Sequence, residues 1–198
     1  MRQIATVASL CFAVVGAGCS STPSHFYTLS RVEAPSGTPS AKPSDLSVVV
    51  GPVSIPDIVD QPQIVVTTGP NQVSPDEFNR WASPLDNNIS RVVAEDLVVI
   101  LGTGRVSLFQ QSPNAEATYR VAIEVQSFES ALGEAATLSA VWVVRRTRDG
   151  NAETGRTNVR EPVQDKSFDA IAAAHSRALA RMSQDIAGVI RALDRNAP

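Results

Sequence analysis

Of the two cysteines in this chain, Cys11 lies inside an apolar segment and Cys19 directly follows it. Once that segment is removed a single cysteine remains. No intramolecular disulfide can then form, and a hydrophobic core has to hold the fold by itself. The segment reads as removable. Arg2 and the free amine give a weakly positive start, Ile4 to Val15 supply about a dozen mostly apolar residues, and Gly16-Ala17-Gly18 lead to Cys19. A spanning helix needs roughly 20 apolar residues, so this stretch is too short to persist as a membrane span. Taking away residues 1–18 leaves 180 of the 198, enough for one domain with a core plus a tether.

Gly16-Ala17-Gly18-Cys19 followed by Ser20-Ser21 has the form of a bacterial lipoprotein signal, cut before Cys19 with the thiol and the new amine acylated. Gly16 stands where a large aliphatic residue is usual. The alternative is therefore an ordinary signal peptide cut near Ala17, with Cys19 left as a free thiol. Acylation accounts for a lone N-terminal cysteine in an exported chain. One myristoyl-sized chain anchors reversibly, at about 0.8 kcal/mol per buried CH₂, whereas three hold firmly. Ser20 rather than Asp after the cysteine points to the periplasmic face of the outer membrane.

Removing residues 1–18 takes away one charged side chain, Arg2, and moves the formal net charge from -3 to -4. There is no basic tract, and aromatics make up only 5% of the chain, so a nucleic-acid partner is not expected. The one basic knot, Arg145-Arg146-Thr147-Arg148, sits beside Asp149-Gly150 and reads as a solvated hairpin turn.

Residues 20–45 are rich in Ser, Thr and Pro and read as the tether, interrupted by Phe26-Tyr27-Thr28-Leu29. That island is expected to dock on the body as an edge strand, since two aromatics left loose would expose apolar surface needlessly. The body is expected over 46–195. Leu46 to Val53 reads as a strand covered on both faces. The prolines of Ile55-Pro56-Asp57-Ile58-Val59-Asp60-Gln61-Pro62 force a shaped loop. Gln63–Thr68 and Gln72-Val73 flank Gly69-Pro70-Asn71 as a hairpin.

The spacing of Leu85, Ile89, Val92, Val93, Leu97, Ile100 and Leu101 predicts a helix, with Ser83 as its cap and Gly102 and Gly104 ending it. Strands follow at Val106–Phe109, at Tyr119–Gln126 with alternating burial, at Leu138–Val144 with apolar residues on both faces, and near Thr154–Val159. A long helix from Phe168 to about Leu193 closes the domain. The fold class is α/β or α+β: one domain, a mixed sheet and two main helices.

Catalytic chemistry finds few candidates. His25 lies in the tether and His175 at the edge of the last helix's apolar face, so the two do not make a metal site. A Ser-His-Asp triad would have to use His175, and no Gly-x-Ser-x-Gly elbow accompanies it. Asp57 and Asp60 are three apart in the proline loop, and Asp76 and Glu77 precede Phe78. Paired acids can cleave glycosides, but no aromatic platform accompanies these, and loop acids usually bond turn amides. Neither a cofactor nor a metal is expected.

Cys19, Phe26-Tyr27-Thr28-Leu29, Val49-Val50-Gly51-Pro52-Val53, the run Ile55–Val65 and Arg80-Trp81-Ala82-Ser83-Pro84-Leu85 together resemble the ABC-type transport auxiliary lipoprotein family, of the PqiC type. The resemblance spans nearly the whole mature chain; Ile58-Val59 stands where the family more often has an aromatic-leucine pair. It implies a domain similar to the N-terminal domain of TolB. It also implies a non-enzymatic auxiliary role in a lipid transport system that maintains the envelope, with an MCE-domain protein and an inner-membrane permease/ATPase as partners. Homo-oligomers are compatible with it. Pro56, Asp57, Asp60, Pro62, Arg80 and Trp81 are the candidate partner-binding residues. Trp81 could instead pack beneath the first helix, with Arg80 paired to an acid. Two other readings are an envelope scaffold of a Tol-like or cell-wall-linked complex, and an envelope hydrolase using Asp57, Asp60 or His175.

Overall fold

The computed structural model describes residues 22–31, 33, 45–111 and 116–195. The expected signal segment, Cys19 and most of the expected tether lie outside them. The Val-rich run forms β2 (Val48–Ser54), whose first residues are buried on both faces. It lies parallel to β5 (Val106–Leu108) on one side and to β6 (Tyr119–Ala131) on the other. β6, β7 (Ala135–Arg146) and β8 (Ala152–Pro162) continue as an antiparallel meander, so the large sheet runs β5-β2-β6-β7-β8. β2 breaks register between Val50 and Val53, where Gly51 has φ +116. The positive φ favours glycine, and a Cβ there would also crowd Phe109 Cβ at 3.0 Å.

The two helices, α1 (Leu85–Leu101) and α2 (Phe168–Arg195), pack on each other; α1 covers β2 and α2 covers β7 and β8. Leu85, Ile89, Val92, Val93, Leu97 and Leu101 face the core as their spacing predicts. So do Ile171, Leu179, Met182, Ile186, Ile190 and Leu193 of α2. Gly102 ends α1 in the left-handed region at φ 66, its N–H bonding Val98 O.

Several expectations are corrected. Ser83 does not cap α1: Pro84, with ψ 135, occupies the cap position without a side-chain bond, and Ser83 lies one residue too early. β7 is central, but within Leu138–Val144 the buried residues are Leu138, Ala140, Trp142 and Val144, while Val141 and Val143 on the other face stay half-exposed. The basic knot is not wholly solvated either. Arg146 is buried, bonding Asp149 through Nε and Nη2 and donating from Nη1 to Leu193 O at 2.8 Å, which ties the hairpin to the end of α2.

The largest correction is a second sheet where one was expected. β3 (Gln63–Gly69) and β4 (Gln72–Trp81) form the hairpin, and β1 (His25–Tyr27) joins β4 in parallel, giving the order β1-β4-β3. Register slips from Val65↔Pro75 to Gln63↔Arg80, so residues 76–79 of β4 bulge out of its pairing with β3. Asp76 Oδ1 organises the bulge, accepting from Phe78 N, Asn79 N and Asn79 Nδ2 at 2.8–3.0 Å. Burial pushes the Asp76 carboxyl up, but these bonds outweigh it and hold it below its ordinary range. The bulge reaims the end of β4 and gives β1 an edge to dock on.

The island therefore docks as an edge strand, as the sequence implies. Leu29 is buried at 1% exposure, Tyr27 Oη bonds Asn79 Oδ1 at 2.8 Å, and the Tyr27 ring lies 6.0 Å from Phe168. Arg91 of α1 donates to Leu29 O and Thr28 Oγ1, and Ser30 N–H donates to Ser176 Oγ of α2. Burying a leucine contributes about 1.5–3 kcal/mol, so Leu29 is the main pin of the segment.

Candidate functional site

The proline loop and the start of α1, far apart in sequence, meet on one surface. Val59 N–H bonds Pro56 O at 3.0 Å and Asp60 N–H bonds Asp57 O at 3.2 Å, making a tight turn. Gln61 Nε2 braces it through Ile58 O at 2.8 Å. Val59 is buried beneath and Ile58 is 54% exposed above. The loop's end is fixed to the helix start by Trp81 N–H to Pro62 O at 2.8 Å, and Ala82 N–H bonds Tyr27 O at 2.8 Å. Between them lies a cleft of about 320 Å³ lined by Asp60, Pro62, Trp81, Ser83, Pro84 and Leu85.

Of the six candidate partner-binding residues, Asp60, Pro62 and Trp81 are thus brought together. Pro56 lines a different groove of about 250 Å³, shared with Val65, Val73 and Phe128. Asp57 is exposed on the turn. Among the described residues Arg80 pairs with no acid: its Nη2 reaches Glu77 O at 3.4 Å, and its Nε is buried without a partner. It lies on the outer face of the small sheet because Trp81 takes the inward position beside it. Trp81 is buried, but it packs against Phe128 of β6 (6.2 Å, edge-on) and His175 of α2 (6.5 Å), not beneath α1.

His175 was expected at the edge of an apolar face and is instead fully buried. Its ring stacks on Phe128 at 3.7 Å and 8°, with Nε2 2.9 Å from Ser130 Oγ and Nδ1 unpartnered. Burial pushes its pKa down to about 3, so the ring is neutral. A serine at that distance from an imidazole has the spacing of a nucleophile and its base. Here both are closed off from solvent and no acid orients Nδ1, so the pair serves packing. The position was legible from spacing: 175 falls four after Ile171 and four before Leu179, in the middle of the buried stripe. Asp96 is a second buried polar group that spacing would have placed, three after Val93; it accepts from Ser183 Oγ at 3.0 Å between the helices.

The Asp57 and Asp60 carboxylates are both exposed, and they do not converge on one cleft. Among the described residues there is no group of three His, Cys, Asp or Glu that could hold a metal, and no helix is long and apolar enough to cross a membrane.

Comparison with known structures places the fold. One solved structure, described only as an uncharacterized protein, is 19% identical with TM-score 0.69, over 85% of this chain and 99% of that one. Protein XCC0632 from Xanthomonas campestris is 21% identical with TM-score 0.69, over 88% of this chain and 100% of that one. No curated protein matches the sequence. The sequence itself matches a family over residues 27–187, a span that takes in the docked segment from Tyr27 onward, the loop, the cleft and most of α2. The chain belongs to the ABC-type transport auxiliary lipoprotein components.

Proposed function

We propose that the chain is a non-catalytic docking subunit of an MCE-type lipid transport system, held at the periplasmic face of the outer membrane by acyl chains on Cys19. The observation that carries this reading is the cleft. Loop 55–62 and the start of α1 come together there around a buried tryptophan, fixed by backbone bonds on both sides. A pre-formed cleft with polar rim groups and an apolar floor suits a short segment of a protein partner, because little ordering entropy is lost on docking. The closed Ser130–His175 pair and the separated loop acids argue against hydrolysis. The partners implied are the MCE-domain protein and, through it, the permease and ATPase of the inner membrane.

A photo-crosslinking amino acid at position 60 in the acylated protein, followed by identification of adducts from membranes, tests this. Capture of an MCE-domain protein is the expected result, together with outer-membrane permeability defects on deletion. Adducts only with cell-wall or Tol-type proteins would overturn it.

A further inference from the structure

We infer that the outer face of β1, centred on Phe26, lies against the headgroup layer of the membrane that holds the acyl chains. The inference rests on the acylation of Cys19 proposed above. Phe26 is the most exposed large hydrophobic residue described, at 65%, on a strand where His25 is also exposed and Tyr27 is half-buried. Tyr27 and Trp81 point to the core, so Phe26 and its register partner Arg80 point out together. Among the described residues Arg80 has no ion pair, and its nearest charged neighbour in sequence is the exposed Glu77, whose carbonyl it meets at 3.4 Å.

Chain length decides the occupant. Thr22, the first described residue, is three Cα–Cα steps from Cys19, and Phe26 is seven. Fully extended, those steps reach about 11 Å and about 25 Å at 3.3–3.6 Å per residue. A body of about 150 residues has a radius of gyration near 15 Å, so the leash is shorter than the body is wide. Docking of β1 therefore converts the expected 27-residue tether of 19–45 into a short one. The bilayer meets the molecule on the β1 side. An exposed aromatic beside a half-buried guanidinium without an ion pair fits that layer, with the ring at the glycerol level and the Nη end, not the buried Nε, toward lipid phosphate.

The test uses the mature acylated protein, alone, in phosphatidylethanolamine/phosphatidylglycerol vesicles with or without lipids brominated near the top of the acyl chain. Phe26→Trp is compared with Val73→Trp, at the exposed hairpin tip of the same sheet; native Trp81 and Trp142 are buried and give the background. Bromolipid is expected to lower the fluorescence added at position 26 at least two-fold and to leave that at position 73 unchanged. An acyl mass on the Cys19 peptide with equal quenching at both positions overturns the membrane-facing patch and leaves the anchor standing. Absence of acyl mass overturns both.

Discussion

Protonation of His175 should govern how the fold fails in mild acid. The ring is buried on Phe128 with its pKa pushed down to about 3, against 6.5 when unfolded. Between those values the unfolded chain binds a proton that the folded one does not, so stability is full above pH 6.5 and falls as pH drops. The slope approaches 1.36 kcal/mol per pH unit. From pH 7 to pH 4.5 the loss is about 2.5 kcal/mol, a large share of the roughly 5–15 kcal/mol that holds a domain together. Glu161 also loses stability in acid. Burial pushes its carboxyl up, but Arg181 and Arg177, at 2.7 and 3.2 Å, outweigh this and hold it low. Its loss begins as pH falls through the ordinary carboxylate range near 4.5 and is complete only below its lowered folded value, so most of the decline above pH 4.5 belongs to the histidine.

The measurement is urea unfolding of the mature chain carrying Cys19→Ser, followed by tryptophan fluorescence, with and without His175→Gln. Glutamine keeps a neutral hydrogen-bonding group near Ser130 and removes the titration. The variant starts less stable, since the stacking is lost, but its stability should be nearly flat where the parent declines by about 2.5 kcal/mol. Parallel curves would refute the reasoning, because they would mean that the imidazole accepts its proton without unfolding.

Three other perturbations bear on the same structure. Gly155→Ala places a Cβ 2.1 Å from the Trp142 ring, and that ring is held by Nε1 to Thr157 Oγ1 at 3.0 Å, with Thr157 bonded to Asp185 at 2.7 Å. Overpacking of this kind costs about 1–3 kcal/mol, and a melting temperature unchanged within a degree would show that the ring moves freely. Leu29→Ala should cost about 2–5 kcal/mol and expose 25–31 to protease before the body unfolds; cleavage there at the parent's rate would deny the docking. Cys19→Ser should abolish palmitate incorporation and release the protein from membranes, and continued sedimentation with membranes would remove the anchor from the account.

Elements defined by neighbours in sequence were legible, and those defined by distant pairing were not. The stripe of α1, the alternation of β6, the Asp149-Gly150 turn and the proline loop each follow from residues within a few positions of one another. The second sheet does not, because it depends on a three-residue slip in β4 that Asp76 stabilises through bonds seen only once the strand is folded. Arg146 illustrates the same limit. Its position in a basic run beside a turn reads as solvated, and only the return of α2 brings Leu193 O within 2.8 Å. The cleft was half legible. Both of its segments stood out, but which residues faced it depended on strand alternation, which turned Trp81 in and Arg80 out.

The docked segment also joins two parts of the molecule that the sequence keeps separate. Read as a flexible leash, residues 19–45 would let the body tumble, and the anchor would fix only its distance from the bilayer. Residues 25–30 are instead held by β4, by Arg91 of α1 and by Ser176 of α2. The Tyr27 carbonyl holds Ala82, itself part of the wall of the cleft between loop 55–62 and α1. A pull on acyl chains at Cys19 would therefore act on the frame of that cleft through one backbone hydrogen bond and a parallel ladder. The anchor would then fix the direction in which the cleft is presented as well as its height. On the function proposed above, a subunit built this way offers one face to its partner without spending binding energy on orienting itself.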